Sequence, residues 1–97
     1  MQRIFLIDWD PDHATEVAQA LRGDNYMVQI EADLIDGAME RIPTFAPHFV
    51  LISMHYLPER GESCALALRT LSSPPPVILL DAAPATMQRT RDRKSVV

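Results

Sequence analysis

Four short apolar runs limit what this chain can fold into: Ile4-Phe5-Leu6-Ile7, Tyr26 to Ile30, Phe49-Val50-Leu51-Ile52 and Val77-Ile78-Leu79-Leu80. The first, third and fourth are unbroken rather than alternating, as in strands buried on both faces of a sheet. Segments of helical period lie between them. Ala14, Val17, Ala18 and Leu21 fall on one helical face between Pro11 and Arg22, and Ile35, Ala38, Met39 and Ile42 mark a second helix. Cys64, Ala65, Leu68 and Leu71 mark the inner side of a third. Strands that alternate with helices in this way form a parallel sheet with helices on both sides, and right-handed crossovers fix most of the connectivity.

Local signals punctuate the pattern. Asp10 or Asp12 caps the first helix, with Pro11 in or just before its first turn, and Gly23 stops it. Pro43 and Pro47 halt the second helix. A loop holding Pro58 and Gly61 leads into the third, and Ser72-Ser73-Pro74-Pro75-Pro76 forms a stiff connector. The stretch from Pro84 to about Arg93 reads as a weaker helix before Lys94-Ser95-Val96-Val97.

With 97 residues, 47% hydrophobic and 23% charged, the expectation is one small domain (1–97) with a packed core. A net charge of -4 gives no general attraction to nucleic acid or anionic membrane. The single cysteine, Cys64, excludes an internal disulfide and a cysteine-based metal cluster, and its helical setting reads as a small buried thiol. No apolar run approaches the roughly 20 residues needed to cross a bilayer. The amino terminus enters a strand directly, leaving no room for a signal peptide, so a soluble cytoplasmic domain is expected.

Taken in order, these motifs resemble the receiver domain of two-component response regulators over about residues 3 to 90. Receivers open with a strand followed by acids and often a proline; here that stretch is Ile7-Asp8-Trp9-Asp10-Pro11. Their third strand follows Pro-Asp and ends in the phosphorylated aspartate; here it reads Pro47-His48-Phe49-Val50-Leu51-Ile52-Ser53. Pro58 and Gly61 match the following loop loosely. The fourth strand of receivers reads Pro-Val-Ile, then Thr or Ser, then Ala; here it is Pro76-Val77-Ile78-Leu79-Leu80-Asp81-Ala82. The resemblance implies a flavodoxin-like three-layer sandwich with strand order 2-1-3-4. The fifth strand is absent, rudimentary or supplied by a partner, because the chain is short at its C-terminal end. No fifth-strand lysine has a clear counterpart. Either the chain is a fragment of a longer protein, or it is a short form whose fourth strand is an exposed edge.

The departures fall on the chemistry. The phosphoacceptor position is Ser53; because Pro58 sits one residue late, a one-residue slip would place Met54 there instead. The second opening acid, a magnesium ligand in receivers, is Trp9. Asp8 keeps the first acid, Asp10 the third position, and Asp81 stands where the switch hydroxyl belongs. Replacing a carboxylate by an indole removes a charge and a donor from a magnesium shell. Serine is a poor phosphoacceptor without a nearby base, and Asp81 adds negative charge where a phosphoryl group would arrive. The resemblance therefore implies a degenerate pseudo-receiver.

The candidate residues carry paired readings. Asp8, Asp10 and Asp81 form a residual acidic pocket around Ser53; it either holds a cation, with Asp8 and Asp10 the weak magnesium candidates, or is a remnant polar pocket. For Ser-His chemistry, His13 belongs to the first helix and His48 to the opposite edge of the sheet, which leaves His55; without an oxyanion donor set, no enzyme is expected. Trp9 is either an exposed anchor for a partner or a plug in the vacated metal pocket. His55 and Tyr56 are a recognition element or loop packing. Arg89, Arg91, Arg93 and Lys94 read as a solvated helix end, so direct nucleic-acid readout is not expected. The leading expectation is a phosphorylation-independent protein-interaction module of a signalling or transcriptional regulator, with no cofactor. It binds protein partners or self-associates through the exposed fourth strand or fourth helix. The alternative is a small-ligand or divalent-cation sensor built on the acidic pocket.

Overall fold

Successive residues of a strand face opposite sides of a sheet, so an unbroken apolar run feeds two cores at once. The computed structural model describes residues 1–32, 35–54, 58–80 and 95–96. They form β1 (Arg3–Ile7), α1 (Pro11–Gly23), β2 (Met27–Glu31), α2 (Ile35–Phe45), β3 (Phe49–Ser53), α3 (Pro58–Leu68), β4 (Val77–Leu80) and β5 (Ser95–Val96). Every pairing is parallel, and the strand order is β2-β1-β3-β4-β5. This is a flavodoxin-like sheet of order 2-1-3-4 with a rudimentary fifth strand.

β5 corrects the expectation that β4 is an exposed edge. It pairs Ser95 with Val77 and Val96 with Ile78, so the first half of β4 is covered.

The two cores divide the strand residues by parity. Phe5, Ile7, Val50, Ile52, Val77 and Leu79 pack with Ala38 and Ile42 of α2 and with Cys64, Ala65 and Leu68 of α3. Ile4, Leu6, Val28 and Leu51 pack with Ala14 and Ala18 of α1 on the other face. Burial pushes the Cys64 thiol up to about 12, with the charge of Glu31 adding to the effect, so it is an inert core group.

Helix ends differ from the sequence expectations in two places. α1 stops at Gly23 as expected, and Asn25 beyond it takes the positive φ of 70°. Asn tolerates that conformation. Pro43 lies inside α2, which runs on to Phe45. The helix ends at Ala46, with φ 51°, and Arg3 Nε donates to the carbonyls of Phe45 (3.0 Å) and Ala46 (2.9 Å). That side chain satisfies acceptors a helix terminus leaves open. Pro58 and Gly61 belong to α3 itself rather than to a loop, and Pro58 suits a first helical position. α3 stops at Leu68, and tighter turns follow, ending in Leu71 N–H to Leu68 O at 3.3 Å, which set Leu71 against the core.

Candidate functional site at the strand ends

In an open parallel sheet, chemistry gathers beyond the carboxyl ends of the strands. Ile7 pairs with Ile52 in the β1–β3 register, so Asp8 and Ser53 follow side by side at adjacent strand ends. Ser53 is also paired with Leu80 of β4. The remaining candidates at this edge, Asp81, His55 and Tyr56, lie outside the described residues.

Asp8 is fully buried, at 0% exposure. A carboxylate in such a place must be paired and hydrogen-bonded. The Asp10 N–H donates to its Oδ1 at 3.0 Å, and His13 Nδ1 donates to its Oδ2. Both oxygens are therefore committed within the first turn of α1. The contact holds the His13 pKa above the usual 6.5, chiefly through the hydrogen bond to Asp8. Partial burial works against that shift, and the charges of Asp8, Asp10 and Glu16 add to it.

Asp10 is the cap of α1. Its backbone is extended (φ -103°, ψ 105°), and its Oδ1 accepts from the N–H groups of Asp12 (3.1 Å) and His13 (3.3 Å). Of the two capping readings the sequence leaves open, the structure takes Asp10, with Pro11 at the first helical position. His13 then falls at the third helical position, from which a side chain reaches back across the helix start. Position is the one signal by which His13 is legible as a site residue. The sequence reading assigns it to the helix and misses the pairing.

Trp9 faces the other side of the sheet. It shares parity with Phe5 and Ile7, is 5% exposed, and belongs to the core between the sheet, α2 and α3. The Arg60 guanidinium lies 4.6 Å from its ring centroid. The reading of Trp9 as an exposed anchor is thus overturned: alternation carries the indole inward and α3 covers it. Its Nε1 is buried without a hydrogen-bond partner among the described residues.

Met54 follows the same rule. It joins Val50 and Ile52 in the α3-side core and lies against Gly61, where an added Cβ would stand 2.4 Å from the Met54 Sδ. The strand-end position beside Asp8 is consequently Ser53, itself 1% exposed, and not Met54. His48 lies at the opposite edge, where its Nδ1 accepts the Arg3 N–H at 2.9 Å.

Among the described residues, the donors at this edge differ from those of a magnesium site. Magnesium takes one or two carboxylates in a near-octahedral oxygen shell. Asp8 has both oxygens engaged, Asp10 caps the helix, Trp9 faces the core, and Ser53 offers a neutral hydroxyl. Among the described residues, no three His, Cys, Asp or Glu side chains converge as a metal site. No helix among them is long and apolar enough to cross a membrane.

No family model and no curated protein matches the chain. Solved structures do match it. The signal receiver domain of a response regulator from Bermanella marisrubri aligns with a TM-score of 0.79 at 20% identity, covering 96% of this chain and 79% of that one. The BeF3-activated N-terminal receiver domain of Klebsiella pneumoniae RstA gives 0.75 at 20% identity, over 97% and 80%. The pseudo-receiver domain of the CikA protein, solved by NMR, gives 0.76 at 20% identity, over 100% and 83%. At these identities the likeness establishes the fold: that of response-regulator receiver domains, a pseudo-receiver among them.

Proposed function

We propose that this chain is a pseudo-receiver: a receiver-fold module that works by protein contact and takes no phosphoryl group. The observation that carries this reading is the state of Asp8. The acid kept from the receiver pattern is buried, and its two oxygens are held by the Asp10 amide and the His13 imidazole. A phosphoacceptor site needs that carboxylate for a cation and needs a second carboxylate at the end of β3, where Ser53 stands. What the fold retains is a surface of helices and loops around a scaffold without its switch. In this reading the chain is a single non-enzymatic domain of a cytoplasmic signalling or transcriptional regulator, with protein partners and no cofactor. The neighbouring structure from Bermanella marisrubri is the signal receiver domain of a response regulator.

Phosphotransfer with a small-molecule phosphodonor and magnesium tests the proposal. No labelling is expected; stoichiometric labelling that Ser53→Ala abolishes would overturn it. The cation-sensing alternative on Asp8, Asp10 and Asp81 finds two of its three donors committed to the start of α1. A magnesium- or calcium-dependent rise in melting temperature, lost in Asp8→Asn, would restore that alternative.

A further inference from the structure

Among the described residues β2 is an outer strand, with β1 on one side and no strand on the other. Such an edge is a template for pairing with another chain. Backbone hydrogen bonds identify the groups that face outward. Met27 N–H donates to Gln2 O at 2.9 Å, and Asp8 N–H donates to Glu31 O at 3.0 Å. Met27 and Glu31 therefore turn their backbone groups toward β1, as Gln29 does between them. The strand's period of two then turns those of Val28 and Ile30 outward.

Both outward carbonyls are occupied by arginines. Arg22 of α1 donates Nη2 to Val28 O at 2.8 Å, and Arg41 of α2 donates Nη2 to Ile30 O at 2.9 Å. The two helices lie on opposite faces of the sheet, so the edge is gripped from both sides. Arg41 is itself held in place: Nη2 lies 2.8 Å from Glu31 Oε1, and the guanidinium lies 5.2 Å from the Phe5 ring centroid. Gly37 leaves room for this arrangement, since a Cβ there would stand 2.7 Å from Glu31 Oε1.

We infer that Arg22 and Arg41 form a two-sided lock that withholds the β2 edge from strand addition. The occupant withheld is a second copy of this chain. Two-fold antiparallel pairing centred on Gln29 would set Val28 opposite Ile30 of the second copy, and the reverse. Each pair would exchange N–H and C=O bonds through the carbonyls the arginines now hold. Met27 of this strand is 48% exposed, so an apolar side chain lies beside the edge that the arginines hold. With β2 closed, contacts made by this module are directed to its other surfaces.

The Arg22→Ala/Arg41→Ala variant tests the lock. Its mass is followed by size exclusion with light scattering up to millimolar concentration, beside the native chain, with amide exchange read at Val28 and Ile30. The expected result is a twofold rise in mass over the native chain, with slower exchange at both amides. A variant with native circular dichroism and unchanged mass would overturn the inference. So would association that leaves those amides unchanged, or a native chain already paired through them. Should the alanine variant not fold, Arg22→Gln/Arg41→Gln is read the same way; it keeps most of each stem but falls short of the carbonyls.

Discussion

At the end of β1 the chain buries a carboxylate and answers it with its own imidazole; at the adjacent end of β3 it buries only a hydroxyl. Asp8 has the Asp10 amide and His13 as partners, and its polar surroundings are made by the turn that starts α1. Ser53 ends a strand whose next residue, Met54, turns straight into the core against Gly61. One strand end carries charge beside a helix cap, while the other carries a neutral hydroxyl beside packed side chains. A buried charge therefore persists here where local backbone and a first-turn side chain can satisfy it.

The strongest way to break this contrast is to give the β3 end a charge. Ser53→Asp would place a second carboxylate at the strand end beside Asp8, at a position 1% exposed. A loss of about 3–5 kcal/mol at neutral pH is expected, the scale for an unpaired buried charge. The loss should shrink as acid protonates the new carboxyl, since burial and like charge both favour its neutral form. Chemical denaturation at neutral and mildly acid pH measures it. A variant as stable as the native chain, or one stabilised by magnesium, would show that Asp8 is open to a cation after all.

Gly61→Ala tests the packing at the end of β3. In a helix free of neighbours this exchange gains about 1 kcal/mol. Here the new methyl meets Met54 Sδ at 2.4 Å and Ile52 Cγ2 at 3.2 Å. Overpacking of this kind costs about 1–3 kcal/mol, so the gain is cancelled or turned into a net loss of up to about 2 kcal/mol. The sign of the change is the readout: a stabilised variant would mean that Met54 is not fixed against α3. On the β1 side, Asp10→Ala should cost about 1 kcal/mol, the usual worth of a helix cap, and weaken the His13 contact by loosening the turn that carries it.

The sheet was legible because its signal is redundant: unbroken apolar runs and helical periods point to a parallel sheet between helices, and the resemblance covering nearly the whole chain implies the order 2-1-3-4. The helix ends were less so. Pro43 reads as a stop, yet α2 runs two residues past it, because Arg3, distant in sequence, caps the carbonyls at its end. Gly61 reads as loop, yet it is helical, because the constraint is contact with Met54 across the structure. At the candidate site, strand parity alone assigns Asp8 to one face and Trp9 to the other. Applied to residue 9, that rule excludes an exposed indole. The pairing of His13 with Asp8 depends on which of Asp10 and Asp12 caps α1, a choice that composition and period leave open.

The His13 pair gives the smallest expected effect and the most specific separation of the two strand ends. Its pKa is raised in the folded chain, so the protonated form is the one that folding favours. The resulting stabilisation is fully present below the ordinary value of 6.5 and is lost as pH rises through the raised folded value. His13 is 28% exposed, so solvent screening holds the gain to about 1 kcal/mol or less. Unfolding free energy measured across neutral and alkaline pH should therefore decline in the native chain, and the decline should vanish in Asp8→Asn and in His13→Gln. Ser53→Ala should leave it intact, because the β3 end contributes no charge to the pair. If the slope disappears in Ser53→Ala as well, the two strand ends form one coupled polar site, and the division between a charged end and a packed end fails.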